Sequence, residues 1–326
     1  MYERDKWSWG HAGRYNMVRM ERKVVGSMKI AIAGGQGFIG SSMCKGFLEQ
    51  QHEVYILSRQ PERITPMPGV TYIRWMHEGD RPEEQLEGID TIVNLAGQSL
   101  SSGRWTAKRK KTLLESRLST TKEIVRIIGA LKRKPSVLIN ASAIGYYGIS
   151  RDRQFTEQDI IGPTDFLSHI VNEWEQEAMK SGIRTVLMRL GVVLGAGEGA
   201  FPKMLLPYRL FVGGRLGSGQ QPLSWIHIDD VVGAALHCIN HSTMQGAVNF
   251  TAPQPVTMEQ FGRTLAEQLH RPHYFPVPGG LMKLMLGEMS MLLLEGQHVI
   301  PEKLLGEHYS FQYADLSRAI QSLVSK

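Results

Sequence analysis

Residues 29–40 run Lys29-Ile30-Ala31-Ile32-Ala33-Gly34-Gly35-Gln36-Gly37-Phe38-Ile39-Gly40, and a helical pattern continues from there to about residue 50. An apolar strand pattern thus passes straight into a helix through a loop with glycines at 34, 37 and 40. In a strand-loop-helix unit the first glycine permits the tight turn, the second lets backbone N–H groups approach an anion at the positive helix end, and the third lets the helix pack closely on the sheet. The strand before and the helix after favour a phosphate loop over an ordinary glycine-rich turn. The loop residues expected to contact a nucleotide are Gly34, Gln36, Gly37, Phe38, Ile39 and Gly40.

Working outward, strand-like runs are expected at 29–34, 53–58, 71–75, 90–95, 136–142 and 184–190, with helices at 38–50, 106–131 and 165–181 between them. Several of these strands are apolar on both faces, which predicts a parallel sheet covered by helices on both sides, a doubly wound α/β fold. After residue 195 the pattern loosens into glycine-rich loops. It then recovers a helix at 230–240, a strand at 248–251, a helix opened by the capping box Thr257-Met258-Glu259-Gln260, and a mostly helical stretch at 279–324 with Pro301 as a helix start. The expected organisation is a tail at 1–27, a nucleotide-binding domain at 28–195, and a smaller region at 196–326 in which 225–252 returns to the first domain.

With two cysteines, Cys44 and Cys238, there is no disulfide framework and no metal-ligand spacing, so no metal is expected and a reducing cytoplasm is the expected location. The net charge is +6, and residues 1–27 hold six Lys/Arg against three acids, leaving the body mildly basic. No stretch has the roughly 20 uncharged apolar residues that cross a bilayer, so no membrane partner is expected. The basic run from Arg104 to Lys111 spreads over a helix and reads as a solvated face, so nucleic acid is not expected either.

An acid at the end of the second strand would hold the ribose hydroxyls of NAD. Here the strand ends Leu57-Ser58-Arg59. A guanidinium and a hydroxyl suit a 2′-phosphate through charge-assisted hydrogen bonds, so NADP(H) is the expected cofactor. Asn94-Leu95-Ala96-Gly97 closes the fourth strand with small residues that let a ligand pass close to the chain.

Together with Ser142-Ala143-Ile144-Gly145-Tyr146-Tyr147-Gly148 and Trp225-Ile226-His227-Ile228-Asp229-Asp230, these motifs resemble the extended short-chain dehydrogenase/reductases, a Rossmann-type, nucleotide-sugar epimerase-like group. More narrowly, the chain resembles the subgroup called epimerase family protein, some bacterial members of which carry a cell-division-inhibitor label. The resemblance extends over about 28–324 and includes Ser116-Arg117, Trp174-Glu175 and Arg189-Leu190-Gly191-Val192-Val193. It implies that Ser58 and Arg59 meet the 2′-phosphate, that Leu95 and Ala96 line the adenosine, that Arg117 approaches the phosphates and that the loop around Val193 passes beside the nicotinamide.

The same superfamily reduces carbonyls with a Tyr-x-x-x-Lys pair on one helix face, the ammonium lowering the phenol pKa. That pair is missing: the helix after Ser142 reads Phe166-Leu167-Ser168-His169-Ile170-Val171, and the sole tyrosine followed four residues later by lysine is Tyr2, in the tail. Ser142 fits a substrate-oxygen contact, and Tyr146 or Tyr147 is either a substitute acid or a ring packed beneath the cofactor. His227 suits a hydrogen-bonded anchor, and Glu157 and Glu175 suit caps or ion pairs. Two functions follow: an epimerase-like oxidoreductase acting on a small carbonyl or sugar-related substrate, or an NADP(H)-binding sensor or scaffold for a protein partner. A strict sugar epimerase is disfavoured, because it needs bound NAD and the same pair; a homo-oligomer remains open.

Overall fold

A computed structural model describes residues 26–325, so the tail expected at 1–27 lies almost wholly outside the described residues. In chain order the first half contains β1 (Lys29–Ala33), α1 (Phe38–Glu49), β2 (Glu53–Ser58), β3 (Val70–Arg74), α2 (Pro82–Gln85), β4 (Thr91–Asn94), α3 (Ala107–Ala130), β5 (Val137–Ala143), β6 (Gln154–Phe155) and α4 (Phe166–Ala178). There follow β7 (Thr185–Leu190), β8 (Val192–Leu194), α5 (Phe201–Arg209), β9 (Pro222–Leu223), β10 (Trp225–His227), α6 (Ile228–Asn240), β11 (Gly246–Phe250), β12 (Val256–Thr257), α7 (Met258–Leu269) and α8 (Gly279–Leu286). The chain continues through α9 (Met291–Leu294), β13 (His298–Val299) and α10 (Glu302–Gly306) to α11 (Leu316–Val324).

Seven strands form one sheet in the order β11-β7-β5-β4-β1-β2-β3, and every pairing is parallel. The chain runs outward from β1 through β2 to β3 and then crosses back to β4 on the other side. The carboxyl ends of β1 and β4 therefore flank a switch point, where open sheets leave a crevice for ligands. Side-chain alternation along β1 covers both faces. Ile30 and Ile32 pack with Met43 and Phe47 of α1 and with Val231 and Ala234 of α6, whereas Ala31 and Ala33 meet Ile124 and Ile127 of α3 on the opposite face. Each fully buried isoleucine contributes about 1.5–3 kcal/mol, so this alternation fixes the register of the sheet.

Helix ends follow local chemistry. Thr106 accepts the Arg109 N–H to cap α3, while Asp165 with Ser168 and Thr257 with Gln260 form reciprocal boxes at α4 and α7. The Arg184 guanidinium donates to the carbonyls of Cys238, Ile239, His241 and Met244 at the end of α6, where backbone oxygens lack helical partners.

A second core joins Phe201, Leu205, Leu223, Trp225, Phe261, Leu265 and Ile320 beyond the sheet. Two buried polar groups tie it to α6. The Asp230 carboxylate accepts the Tyr309 hydroxyl and the N–H groups of Gln312 and Tyr313, while His227 accepts the Asp229 N–H and lies against Tyr313 with ring centroids 3.8 Å apart. The 279–324 stretch is not helical throughout. Val299, fully buried, sits in β13, which adds to β6 in parallel, because the chain must there satisfy backbone groups beside Phe155.

His52 is buried and its Nδ1 accepts the Met28 N–H at 3.2 Å, a bond that requires that nitrogen unprotonated. Burial lowers its pKa from the usual 6.5. A depressed folded pKa stabilises the fold above the unfolded value, and that stability drains away as pH falls through the folded value. His52→Gln keeps an acceptor but cannot titrate, so its stability should fall less than the wild type's between about pH 7 and pH 5. Parallel urea-midpoint profiles for the two proteins would refute this.

Candidate dinucleotide and substrate site

Gly34 has φ +80°, a conformation that side chains rarely adopt, and an added Cβ would lie 2.9 Å from the Leu95 carbonyl carbon. At Gly40 an added Cβ would meet the Gly34 oxygen at 2.3 Å. The phosphate loop, the start of α1 and the end of β4 are thus in backbone contact that only glycine permits. The Gly37 N–H closes the turn onto the Gly34 oxygen at 3.1 Å, and the start of α1 carries no side-chain cap and no acid in its first turn. A helix start left open in this way fits a pyrophosphate. Gln36 and Gly37 are exposed, with Phe38 and Ile39 half-buried beside them. The Phe38 ring lies against Gly195 and Gly199, joining the loop to the segment that leaves Val193 of β8.

The remaining expected contacts gather along the same strand ends. Ser58, buried, accepts the Gln60 N–H at 3.2 Å, while Arg59 is exposed and its guanidinium makes no bond with the described residues. Leu95, Ala96 and Gly97 leave β4 on a path set by Asn94, whose side chain donates to Asn140 at 2.7 Å and to Thr121 and accepts the Ala96 N–H. Arg117 is buried beside Gly97, with its guanidinium over the Trp174 ring and no carboxylate partner among the described residues. Burial, with the like charge of Arg109 adding to it, lowers its pKa to about 10. A buried cation without an anion is costly, and a phosphate of the cofactor would supply one.

The catalytic candidates are brought together, but through residues given little part in the sequence reading. Ser142 donates to Glu175 at 2.5 Å; Glu175 takes both forks of Arg189 at 2.8 Å; Arg189 donates to the Tyr147 hydroxyl at 3.0 Å; and Tyr147 donates to Asn249 at 2.8 Å. Asn249 in turn gives its N–H to Glu157, whose carboxylate also accepts the Glu302 N–H at the start of α10. Burial pushes the Tyr147 phenol up to about 12, the Arg189 charge offsetting only part of it. For Arg189 burial opposes the charge, but the Glu175 hydrogen bonds and charge outweigh it and raise the pKa.

Of the two roles expected for Tyr147, substitute acid or packed ring, these contacts favour the structural one: its proton is directed at Asn249 and its oxygen accepts from Arg189. Ser142, likewise buried, points to Glu175. Tyr146 lies under the Arg189 guanidinium, 3.4 Å from ring centroid to carbon, and its hydroxyl bonds no described residue. His169 is exposed on α4, away from this network, and His227 is a buried anchor. The available sign of the network was an arginine at 189 inside an otherwise apolar strand, since a buried guanidinium demands a partner.

Beyond the start of α4, a cleft of about 560 Å³ is lined by Lys110, Phe166, Lys283, Ser290, Met291 and Leu294 among others. Phe166 stacks edge-on with Trp105, and Lys110 sits over its ring while pairing with Glu288. Most of the basic run at and before the start of α3 meets such local partners: Arg104 the Met285 carbonyl, Arg109 Gln98 and the Ser99 carbonyl, Lys111 Glu115. Among the described residues no His/Cys/Asp/Glu group could hold a metal, and no helix is long and apolar enough to cross a membrane.

Residues 30–250 match the NAD dependent epimerase/dehydratase family, and residues 277–323 match a domain of unknown function. The chain is similar to the epimerase family protein YfhF of Bacillus subtilis, 44% identical over 301 residues that cover 91% of this chain and 98% of the relative. Its fold is similar to that of the human epimerase family protein SDR39U1 solved with NADPH, at 32% identity and TM-score 0.82, covering 92% of this chain and all of that one. A nucleoside-diphosphate sugar epimerase from Corynebacterium glutamicum aligns at 28% identity and TM-score 0.72, over 92% of this chain and 59% of that chain. With the glycine loop at a switch point of a seven-stranded parallel sheet, these likenesses establish that the chain belongs to the NAD dependent epimerase/dehydratase family, a nucleotide-binding branch of the extended short-chain dehydrogenase/reductases.

Proposed function

We propose that this protein holds NADP(H) across the carboxyl ends of β1, β2 and β4 and uses it on a small carbonyl or sugar-related substrate seated in the cleft beside Phe166. The observation that carries the cofactor choice is the free, exposed Arg59 guanidinium at the end of β2, next to Ser58, where an NAD site would place an acid. The human relative was solved with NADPH, which agrees with that choice. When bound, the cofactor supplies or accepts the hydride. The chain's own residues do the rest: the open start of α1 and Arg117 hold phosphate, Arg59 holds the 2′-phosphate, and Phe166 with Met291 and Leu294 screens the reacting carbon from water.

The proton is the harder part. Tyr147 is committed to Asn249 and Arg189, so the uncommitted phenol in this corner is Tyr146, whose ring lies against the Arg189 guanidinium. The commitment of Tyr147, with Phe166 and Leu167 standing where the usual tyrosine would be, favours a second reading: a cofactor-bound sensor or scaffold for a protein partner. The cytoplasm suits either reading.

Arg59→Glu should weaken NADPH roughly 10- to 100-fold, the loss of a charge-assisted contact, while changing NADH little. Equal weakening of the two, measured by titration calorimetry, would sink the 2′-phosphate assignment. Purified protein given NADPH deuterated at nicotinamide C4 and a pool of small carbonyl metabolites should transfer label, and Tyr146→Phe should lower that transfer about 10²-fold or more. Tight binding without transfer would select the sensor reading instead.

A further inference from the structure

Two stretches of the C-terminal half, 201–220 and 271–287, run side by side. Gly213 accepts the N–H groups of Tyr274 and Phe275, Arg215 accepts that of Val277, and Val277 accepts that of Gly217. Of the thirteen exposed large apolar side chains among the described residues, nine lie in these two stretches. Tyr274 is 80% and Leu284 77% exposed, and Phe211, Val212, Phe275 and Met285 are each more than half exposed. Helix α8, Gly-Gly-Leu-Met-Lys-Leu-Met-Leu, buries none of its eight residues. Phe211 holds φ +63° at the end of α5, a strained setting for an aromatic residue whose ring gains nothing from the core.

The charge of this face has one sign. Neither 201–220 nor 271–287 contains an Asp or Glu, while Lys203, Arg209, Arg215, Arg271 and Lys283 are all exposed there. Of the acids that border it, Glu259 pairs with Arg263 and His273 and Glu288 with Lys110, while Glu198 and Glu267 lie at its margin without an ion pair among the described residues. On the far side of Tyr274, Glu267 shares a hollow with two arginines, Arg263 and Arg271. Arg271 covers one face of the Phe211 ring, 4.1 Å from its centroid, so hydrocarbon and cation occur together rather than in separate patches.

We propose that this face, formed by the end of α5, the 210–217 and 274–277 ribbon and α8, docks on an anionic lipid bilayer surface. Apolar rings and Leu/Met side chains enter the headgroup boundary, while Lys203, Arg209, Arg271 and Lys283 meet lipid phosphates. The length argument that excluded a spanning helix does not bear on a helix lying in the interface. A second copy of the chain fits the face poorly, because a two-fold contact would bring the same cations against each other with no acid between them. An acidic protein partner is less suited: the backbone groups of the ribbon are already bonded to each other, so the face offers hydrocarbon and positive charge but little hydrogen-bonding register.

The test is flotation of the full chain, loaded with NADPH, with vesicles of phosphatidylcholine alone or mixed with phosphatidylglycerol. Binding is expected to the mixed vesicles only, and to weaken as salt is raised. A triple variant, Phe211→Ser, Tyr274→Ser and Leu284→Ser, should lose about tenfold or more of that binding while keeping its unfolding temperature and NADPH affinity. Wild-type-like flotation of the triple variant would overturn the proposal, since binding would then belong to another surface. Failure to float with the mixed vesicles at low salt would overturn it too. In that case a wild-type dimer in sedimentation that the triple variant dissolves would assign the face to a second copy, and capture by an acidic amphipathic peptide would assign it to a protein.

Discussion

The buried pair of Glu175 and Arg189 is the constraint around which the carboxyl ends of β5, β7 and β11 are assembled. Each is less than a tenth exposed, and each would be intolerable there alone, since an uncompensated buried charge costs several kcal/mol. Paired through two 2.8 Å bonds, they fix α4 against β7, hold Ser142 at the end of β5 and orient Tyr147 towards Asn249 of β11. From Asn249 the same chain of bonds reaches the Ile300 carbonyl and, through Glu157, the first turn of α10. The ends of β5, β7 and β11 and the C-terminal segment are thereby joined in one polar network.

On the other side of the switch point the constraint is steric. Gly34 and Gly40 bring α1 onto the end of β4 more closely than any side chain allows, so the open helix start, Ala96 and Arg117 converge on one strip of the sheet edge. Phe38 then carries that placement across to the segment after β8. Backbone approach and one buried cation shape the glycine-loop side of the sheet edge, whereas on the other side the two adjacent phenols differ in whether the hydroxyl is hydrogen-bonded. Tyr147 is hydrogen-bonded into the ion-pair network, whereas Tyr146 meets it only through the Arg189 guanidinium over its ring.

The strands and helices of the sheet were legible almost to the residue, because alternation in β1 and the capping residues Thr106, Asp165 and Thr257 act over a few positions. The glycine loop was legible for the same reason: its meaning depends on its place at a strand end. The β6–β13 pairing was not, since it joins residues 144 apart and its signal is two residues long on each side. Nor was the role of Tyr147, whose partners Arg189 and Asn249 lie on strands distant in sequence.

What the sequence determined by itself was the doubly wound sheet, the phosphate loop and the lack of a Tyr-x-x-x-Lys pair, because each rests on local spacing that steric and helical periodicity convert directly into structure. What only the tertiary structure decided was which titratable groups neutralise one another and which apolar side chains stay uncovered. Burial of Glu175, Arg189 and Tyr147 depends on separate strands and a helix meeting, and exposure of Phe211, Tyr274 and Leu284 depends on no apolar core of the described residues closing over them. Desolvation and contact are properties of the assembled molecule, and no window of sequence holds them.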